Sequence, residues 1–429
     1  MSKNGREQRR MEAVEPVLRQ IVLNASVEVG TCLRELVLAG GLQVFGAMLE
    51  DDVTALCGRR YVRVKDRSKT RHGSEKVAIT FGGRKITVCK PRVRSVGEAG
   101  GEVRLPTWEA LSGIDPLGER ALEQMLLGVT TRKYRRSLER MPASIEVSST
   151  SKSSVSRRFV ALTRKKMAEF LGRSLAGEDY VVVMIDGMHF GDHVVVTAMG
   201  ITWEGRKHIL GCREGSTENA TVCRALLADL AERGLAVERP RLFVIDGAKA
   251  LRSAIRSIFG ASALIQRCQI HKVRNVLGHL PEHKHAWVHK TMRKAFDATT
   301  SKKAQGILKG LASTLEEQHP SAAGSLREGL EELFTNALGA TGWLWRTFRS
   351  TNTLESANEK VRRLTRNVKR YRSGSMALRW AVTGYMSAES TFRRIKGYKD
   401  LPHLVARIEQ RVRQLAGSDQ ISTRDYEVA

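Results

Sequence analysis

Asp179-Tyr-Val-Val-Val-Met-Ile-Asp186-Gly187 and Arg241-Leu-Phe-Val-Ile-Asp246-Gly247 are the two stretches that decide the fold of this chain. Each is a run of apolar and mostly β-branched residues, which is typical of a strand buried on both faces. Each run ends at an aspartate followed by a glycine, so either aspartate alone could simply belong to a turn. A carboxylate at the tip of a buried strand is costly unless something compensates its charge, and its repetition therefore favours a shared functional pocket.

The sequence around these runs predicts a mixed sheet flanked by helices. Three strands, a helix, a strand, a helix and a short strand follow one another, an order that suits helices packed on both faces of such a sheet. The predicted strands are 180–186, 193–202, 206–212, 241–246 and 264–268, and the predicted helices are 217–233 and 249–259.

After this segment the pattern changes to helices alone. From His271 to about Phe348 the sequence has no strand pattern, and Leu326, Leu330 and Leu333 recur at helical spacing. This stretch interrupts the sheet-forming sequence, so it is predicted to be an inserted all-helical subdomain. Three more helices are then predicted at 352–370, 375–387 and 401–415.

A third acid, Glu355, lies in Ser350-Thr-Asn-Thr-Leu-Glu355-Ser-Ala-Asn358 at the start of a basic helix. With the two aspartates it would form a pocket for hard divalent cations. Glu359 lies one helical turn further on the same face, and spacing alone does not choose between the two glutamates. The cations that follow favour contacts with phosphate over a merely solvated face. They are Lys360, Arg362, Arg363, Arg366, Lys369, Arg370 and Arg372.

The whole chain is strongly basic. Lys and Arg number 72 against 45 Asp and Glu, which gives a net charge of +27 over 429 residues. An excess of this size points to a polyanion, and the partner expected here is double-stranded DNA. No stretch approaches the roughly 18 apolar residues of a membrane span, so no membrane partner is expected. The scattered cysteines are typical of reduced thiols, and together with the lack of a signal-peptide pattern they predict a cytoplasmic location.

Much of the positive charge surrounds a predicted β-hairpin in the N-terminal half. Strands at 76–81 and 84–89 flank the dipeptide Gly82-Gly83, a common hairpin turn. Residues 14–57 precede the hairpin and predict two or three helices. Basic residues crowd the region 59–94, which favours contact with the DNA backbone.

Residues 106–175 predict further helices. Asp115-Pro116 begins one helix, with a capping residue and a proline at its first position, and a second short helix is predicted at 130–137. A Ser-rich turn then leads into a third helix. The order resembles a helix-turn-helix, whose last helix would enter a major groove, although a plain helical linker explains the pattern equally well.

The motifs of the chain, taken in order, resemble the Mutator-type transposases of bacterial insertion sequences. The resemblance covers roughly residues 60–415. The motifs that carry it are Asp186-Gly187, Gly200-Ile-Thr-Trp-Glu-Gly205, Leu210-Gly211, Glu218, Arg233-Gly234-Leu235, Asp246-Gly247, Gln266-Arg-Cys268-Gln-Ile-His271-Lys-Val-Arg-Asn275 and Thr351-Asn352-Thr-Leu-Glu355-Ser-Ala-Asn358.

The resemblance implies an α/β fold of the ribonuclease H-like type, with a helical insertion before its catalytic glutamate. It implies that Asp186, Asp246 and Glu355 are the catalytic triad and the metal ligands, and so it chooses Glu355 over Glu359. The implied cofactor is magnesium, with manganese as an alternative. The implied activity is nicking of transposon ends at their terminal inverted repeats, followed by transfer of the freed strand into target DNA by a homodimer.

Four residues are expected to be neighbours of this site: Cys268, His271, Asn352 and Asn358. Zinc binding by the Cys-x-x-His pair is the weaker alternative, because no established spacing supplies the remaining ligands. Two other functions stay open from the sequence, a ribonuclease H-like nuclease without strand transfer and a non-catalytic DNA-binding protein.

These patterns together predict a chain of seven segments. They are an N-terminal helical region (1–50), a basic β-hairpin segment (51–105), a helix-turn-helix-like DNA-binding region (106–175), the first part of the ribonuclease H-like core (178–271), the all-helical insertion (272–348), the second part of the core with the catalytic glutamate (349–390), and a C-terminal helix and tail (391–429).

Overall fold

A computed structural model describes most of the chain from residue 37 to residue 424. The residues left out within that range are 38, 63–66, 82, 98–99, 113–115, 139–140, 142–144, 149, 216–219 and 339–341. The helices predicted before residue 37, the turn glycine Gly82, the capping residue Asp115 and the motif residue Glu218 therefore lie outside the described residues. The chain forms two compact units, Met1–Leu162 and Thr163–Ala429.

The first unit holds a long β-hairpin and several helices. Its elements in chain order are α1 (39–57), β1 (Lys69–Phe81), β2 (Arg84–Ser95), β3 (Glu102–Val103), α2 (Pro106–Ser112), α3 (Pro116–Leu126), β4 (Val147–Ser148) and the first half of α4 (Lys152–Leu171). A small core forms where α1 packs on β2. Its buried residues are Leu49, Val53, Cys57, Val93 and Leu105.

The hairpin is present and is longer than predicted. Strands β1 and β2 pair antiparallel from Phe81 and Arg84 at the turn out to Lys69 and Ser95. Away from the turn the apolar alternation fades, and ion pairs take its place. Lys90 lies directly across from Glu75, for example, with its ammonium 2.9 Å from the carboxylate. Opposite charges on facing strand positions stabilise a sheet, which explains the extra length.

The predicted second helix over 130–137 is wrong in extent. Only Tyr134–Ser137 is helical, as a single 3-10 turn. The tyrosine is buried and its hydroxyl donates a hydrogen bond of 2.9 Å to the carbonyl of Gly83, which ties this turn to the end of the hairpin. The two β-branched residues Thr130 and Thr131 at the start of the predicted helix also favour other backbone conformations.

The second unit is a mixed α/β structure, as predicted. After the second half of α4 its elements are β5 (Tyr180–Phe190), β6 (His193–Thr202), β7 (Lys207–Gly215), α5 (Ala220–Glu232), β8 (Arg241–Ile245), α6 (Lys249–Phe259), β9 (Ala263–Arg267), α7 (Gln269–Leu277), α8 (Glu282–Phe296), α9 (Ser301–Leu315), α10 (Pro320–Arg327), α11 (Gly342–Phe348), α12 (Asn352–Thr365), α13 (Gly374–Glu389) and α14 (Leu401–Arg424).

Five strands form one sheet in the order β7-β6-β5-β8-β9. The first three pair antiparallel, whereas β8 and β9 run parallel to β5. A hydrophobic core covers each face of the sheet. On one face α12, α13 and α14 pack against it, and on the other face α5 and α6 do so.

The chain between the sheet and α12 is helical throughout its described residues. Helices α7 to α10 enclose a third core of their own, built on side chains such as Val288, Leu308, Leu311 and Leu326. A 3-10 stretch, Glu331–Leu338, follows them and packs against β9.

Three predicted boundaries are wrong. Strand β5 continues to Phe190 because it pairs with β6 over its whole length. Helix α12 ends at Thr365 rather than 370, because the residues that would extend it are like charges at helical spacing, which repel. Helix α14 continues to Arg424, well beyond the predicted 415.

Candidate active site

The parallel pairing of β5 and β8 brings two of the predicted carboxylates together. The last pair of that ladder joins Ile185 to Ile245, and the next residue on each strand is Asp186 or Asp246. Asp246 follows the end of its strand, as predicted. Asp186 is instead inside β5, because this strand continues along β6 after its parallel neighbour has ended. The prediction that Asp186 lies at a strand tip is therefore wrong, although Asp186 and Asp246 each directly follow the last paired residue of two adjacent strands.

Glu355 is supplied by the first turn of α12. Leu354, Ala357 and Val361 on the same helix are buried in the core against the sheet, which fixes the face that the helix turns toward β5. The hydroxyl of Thr351, itself fully buried, donates a hydrogen bond of 3.1 Å to Glu355 Oε1. The glutamate is thus held at the sheet by a hydrogen bond as well as by helix packing.

The three carboxylates interact electrostatically. The pKa of Asp186 is raised to about 6, because of its burial and because the negative charges of Asp246 and Glu355 are close, although the nearby His271 opposes the shift. Only 8% of Asp186 is exposed. We call Asp186, Asp246 and Glu355 the carboxylate edge.

A buried hydrogen-bond chain supports Asp186. The side-chain amide of Asn358 donates from Nδ2 to Asp186 Oδ2 at 3.0 Å, and the hydroxyl of Tyr385 donates to Asn358 Oδ1 at 2.6 Å. Asn358 was predicted as a neighbour of the site. Tyr385 was missed, because nothing in its local sequence separates it from an ordinary core aromatic of α13.

Cys268 and His271 lie beside the same edge. Cys268 directly follows β9, and its backbone N–H donates to the carbonyl of Ile245 at 2.6 Å. Its thiol accepts a hydrogen bond from the backbone N–H of His271 at 3.5 Å and so caps α7. The pKa of His271 is raised to about 9 by its side-chain interaction with Cys268 and by the charges of Asp186 and Asp246, against the effect of burial.

Two sets of possible metal ligands share Glu355. In the described part of the chain, the cluster of His, Cys and acidic ligand atoms that all lie within 4.8 Å of one another comprises Cys268, His271 and Glu355. It offers three donors, one fewer than a structural zinc site needs. The carboxylate edge offers only hard oxygen donors, which suit magnesium or manganese. Burial, and to a smaller extent the charges of Asp246 and Glu355, raise the pKa of Asp186, and a divalent cation would stabilise its ionised form.

The predicted phosphate-contacting cations are divided between a helix and a loop. Lys360, Arg362 and Arg363 are on α12, whereas the four that follow are in the connection to α13. The side chains of Arg366, Lys369, Arg370 and Arg372 are exposed. Part of this loop and the turn between β5 and β6 line a cleft of about 840 Å³. The predicted helix over 352–370 would also have carried Arg366, Lys369 and Arg370, and that extent is wrong because α12 ends at Thr365.

Asn352 is the predicted neighbour with the weakest structural tie to the carboxylate edge. It is the first residue of α12, and it is exposed. Thr351, which precedes it, contacts both Glu355 and the Cys268 sulfur, the latter at 3.7 Å. This role of the threonine could have been suspected, since it belongs to the same motif as the glutamate.

No helix among the described residues is long and apolar enough to cross a membrane. Among the described residues five cysteines are present, and none of them forms a disulfide bond: Cys57, Cys89, Cys212, Cys223 and Cys268.

Comparison with known proteins identifies relatives along most of the chain. The transposase of insertion sequence element IS1081 from Mycobacterium tuberculosis is 28% identical over 347 residues, 76% of this chain and 79% of that protein. The transposase of IS256 in transposon Tn4001 from Staphylococcus aureus is 26% identical over 336 residues, 75% of this chain and 81% of that protein. The transposase of IS6120 from Mycolicibacterium smegmatis is 28% identical over 256 residues, 58% of this chain and 76% of that protein. The model of the family described as Transposase, Mutator family, matches residues 18–394, so the chain belongs to the Mutator family of transposases.

Proposed function

We propose that this protein binds the terminal inverted repeats of an insertion sequence, nicks the DNA there and transfers the freed strand into target DNA. The observation that carries the proposal is the carboxylate edge. Asp186 and Asp246 directly follow the last paired residues of the parallel strands β5 and β8, and the charge of Glu355 helps to raise the pKa of Asp186. The strand order of the sheet, with three antiparallel strands followed by two parallel ones, supports a ribonuclease H-like core.

The three carboxylates are the proposed ligands of two magnesium or manganese ions. Such ions would activate the attacking oxygen and stabilise the leaving oxygen in both nicking and strand transfer. The protein holds its oxygen donors on two adjacent strands and one packed helix, which fixes their separation. His271, protonated at neutral pH, adds a positive charge beside the acids and would favour an approaching phosphate.

Two regions are proposed to hold DNA. The exposed cations Arg366, Lys369, Arg370 and Arg372 would contact phosphates close to the carboxylate edge. The basic hairpin segment 51–105 and the helical region 106–175 would recognise the transposon ends. Two ends must be brought together, so the active form is proposed to be a homodimer.

The proposal is tested with the full chain, magnesium, labelled DNA that carries the ends flanking its gene, and a supercoiled target. The expected result is a nick at the transposon end followed by joining of the labelled strand to the target. Nicking without joining would favour the nuclease alternative. Specific binding without either reaction would favour the non-catalytic one.

End recognition has its own test in the full chain. Lys76→Gln and Arg94→Gln remove two exposed cations from the hairpin. If both contact phosphate, the slope of the logarithm of the binding constant against the logarithm of salt concentration should become shallower by about 1 for each. An unchanged slope would place DNA binding elsewhere. Two labelled ends of different length, captured in one complex, would test the homodimer.

A further inference from the structure

Helix α13 is joined to the carboxylate edge through hydrogen bonds that water does not reach. Tyr385 is 0% exposed, Asn358 is 1% exposed and Asp186 is 8% exposed. The two hydrogen bonds that connect them measure 2.6 Å and 3.0 Å. Because buried polar groups must find partners within the protein, each of these three side chains depends on the one to which it is hydrogen-bonded.

The chemistry of the three groups fixes which atom donates and which accepts in each of the two hydrogen bonds. An ionised carboxylate only accepts hydrogen bonds, so Asn358 must turn its amide nitrogen toward Asp186. Its amide oxygen then faces away from Asp186 and needs a donor, which the hydroxyl of Tyr385 supplies. Burial raises the pKa of Tyr385 well above its ordinary value, so the hydroxyl keeps its hydrogen. Without this hydroxyl, the amide oxygen would be left buried and unpaired.

A close approach of two helices brings the tyrosine within reach. A Cβ at Gly384 would lie 2.9 Å from Cγ1 and 3.2 Å from Cβ of Val361 on α12. Only a glycine fits there without displacing one helix. Tyr385 is the next residue on α13, and Asn358 lies one turn from Val361 on α12. The contact between the helices therefore sets the distance from the hydroxyl to the amide.

We infer that Tyr385 is a positioning residue of the metal site, which holds the Asn358 amide in the orientation that fixes the Asp186 carboxylate for a divalent cation. The inference rests on the proposed function, since it takes the carboxylate edge to be the metal site. Groups that hydrogen-bond to metal-holding carboxylates typically change metal affinity by about 10–100-fold when they are removed.

The test replaces Tyr385 by phenylalanine in the full chain and measures Mn²⁺ binding by electron paramagnetic resonance, independently of any DNA reaction. We expect the Mn²⁺ concentration at half-saturation to rise by about 10-fold or more. Tyr180→Phe is the matched control, because Tyr180 is also buried and also makes one side-chain hydrogen bond, 3.0 Å to His208 Nδ1. It should bind Mn²⁺ like the unaltered protein.

A second substitution separates positioning from a general loss of structure. In an Asn358→Ala background Tyr385 has nothing to orient, so adding Tyr385→Phe should leave Mn²⁺ binding at the level of Asn358→Ala alone. A further loss in the double variant, or normal binding by folded Tyr385→Phe, would overturn the inference. If Tyr385→Phe does not fold, Gly384→Ala replaces it, because this variant keeps the hydroxyl but forces the two helices apart. Its Mn²⁺ concentration at half-saturation should also rise by about 10-fold or more. Normal Mn²⁺ binding by folded Gly384→Ala would overturn the inference.

The proposed function fails separately. If Asp186→Asn binds Mn²⁺ as the unaltered protein does, the carboxylate edge is not the metal site. If binding depends on Asp186 but not on Tyr385, only the positioning role is lost.

Discussion

Two neighbouring regions of the second unit bury charge in opposite ways. At the carboxylate edge three acids lie close together, and His271 is the cation that acts on Asp186. We call the other region the root of the helical segment, made up of Arg267, Lys272 and Glu332. There Arg267 donates to Glu332 at 2.7 Å, with 6% and 13% of the two side chains exposed.

Every buried charge at this root has a partner. The ammonium of Lys272 is 4% exposed and donates to the carbonyls of Ser325 and Glu328, at 2.7 Å and 2.8 Å. Glu332 also accepts a hydrogen bond from Arg252 at 2.6 Å. The two regions therefore differ in whether their buried charges stabilise the fold. Paired charges join β9 and α6 to the 3-10 stretch through Glu332, and Lys272 ties α7 to backbone carbonyls at the end of α10. Like charges kept together instead lower stability and favour a binding role.

The largest expected effect is on catalysis. Asp186→Asn, Asp246→Asn and Glu355→Gln each remove one proposed metal ligand and should lower cleavage of end DNA by at least about 10,000-fold, on the order of 5 kcal/mol. Binding of end DNA, measured by gel shift, should be retained. In metal-free protein, urea unfolding should show that Asp186→Asn is more stable than the unaltered chain, because a buried charge has been removed. Retained cleavage in all three variants would rule out the carboxylate edge as the catalytic site.

At the root of the helical segment, removal of one carboxylate should lower the stability of the fold. Glu332→Met removes the nearer and more buried carboxylate partner of Arg267 and leaves only Glu328, 3.7 Å away and 42% exposed, so it should lower the free energy of unfolding by about 3–5 kcal/mol. Glu316→Met is the matched control in the same helical segment, since Glu316 pairs with Arg327 while about half of each side chain is exposed. That exposed pair should contribute no more than about 1 kcal/mol. Equal losses in the two variants would mean that burial of the pair is not what matters.

Much of this architecture could be predicted from local patterns. Strand β6 and helix α6 have the bounds that periodicity predicted, 193–202 and 249–259. Strand β6 is a nearly continuous apolar run, helix α6 repeats its apolar residues at helical spacing, and turns or glycines delimit both. Boundaries that depend on a partner element were less accurate. The extension of β5 to Phe190 follows from its ladder with β6, which local sequence does not contain.

In the candidate site, the three acids and Asn358 could be proposed from the sequence, whereas Tyr385 could not. Asp186, Asp246 and Glu355 belong to recognisable motifs, and the register of β5 with β8 explains why the two aspartates meet. The bond between Tyr385 and Asn358 joins two helices through a buried side-chain contact. Such a contact depends on how closely the helices pack, at Gly384 in particular, and no spacing rule along the chain reveals it.

The burial of Asp186, with a smaller contribution from the neighbouring acids Asp246 and Glu355, also predicts a pH dependence. The folded-state pKa of Asp186, about 6, is above its ordinary value of 3.8, so between these values the folded protein holds a proton that the unfolded chain has lost. Stability of the metal-free protein should therefore fall as pH rises from about 4 to 6, by on the order of 2–3 kcal/mol, and then level off. The difference between the unaltered chain and Asp186→Asn, measured by urea unfolding in EDTA, isolates this contribution. A difference that does not change with pH would show that the pKa of Asp186 is not raised in the folded protein.

The smallest effect is expected one helical turn from Glu355. Glu359 is 62% exposed, and its carboxylate lies 3.8 Å from Arg362, which is 60% exposed. An exposed pair of this kind contributes little, so Glu359→Gln should change the free energy of unfolding by less than about 0.5 kcal/mol. Because Gln preserves the helix and Glu359, unlike Glu355, is not among the charges that shift the pKa of Asp186, cleavage should remain close to that of the unaltered protein. If Glu355→Gln cleaves DNA and Glu359→Gln does not, the catalytic acid is the exposed Glu359. The contrast between acids that lie together and charges that are paired would then not identify the catalytic site.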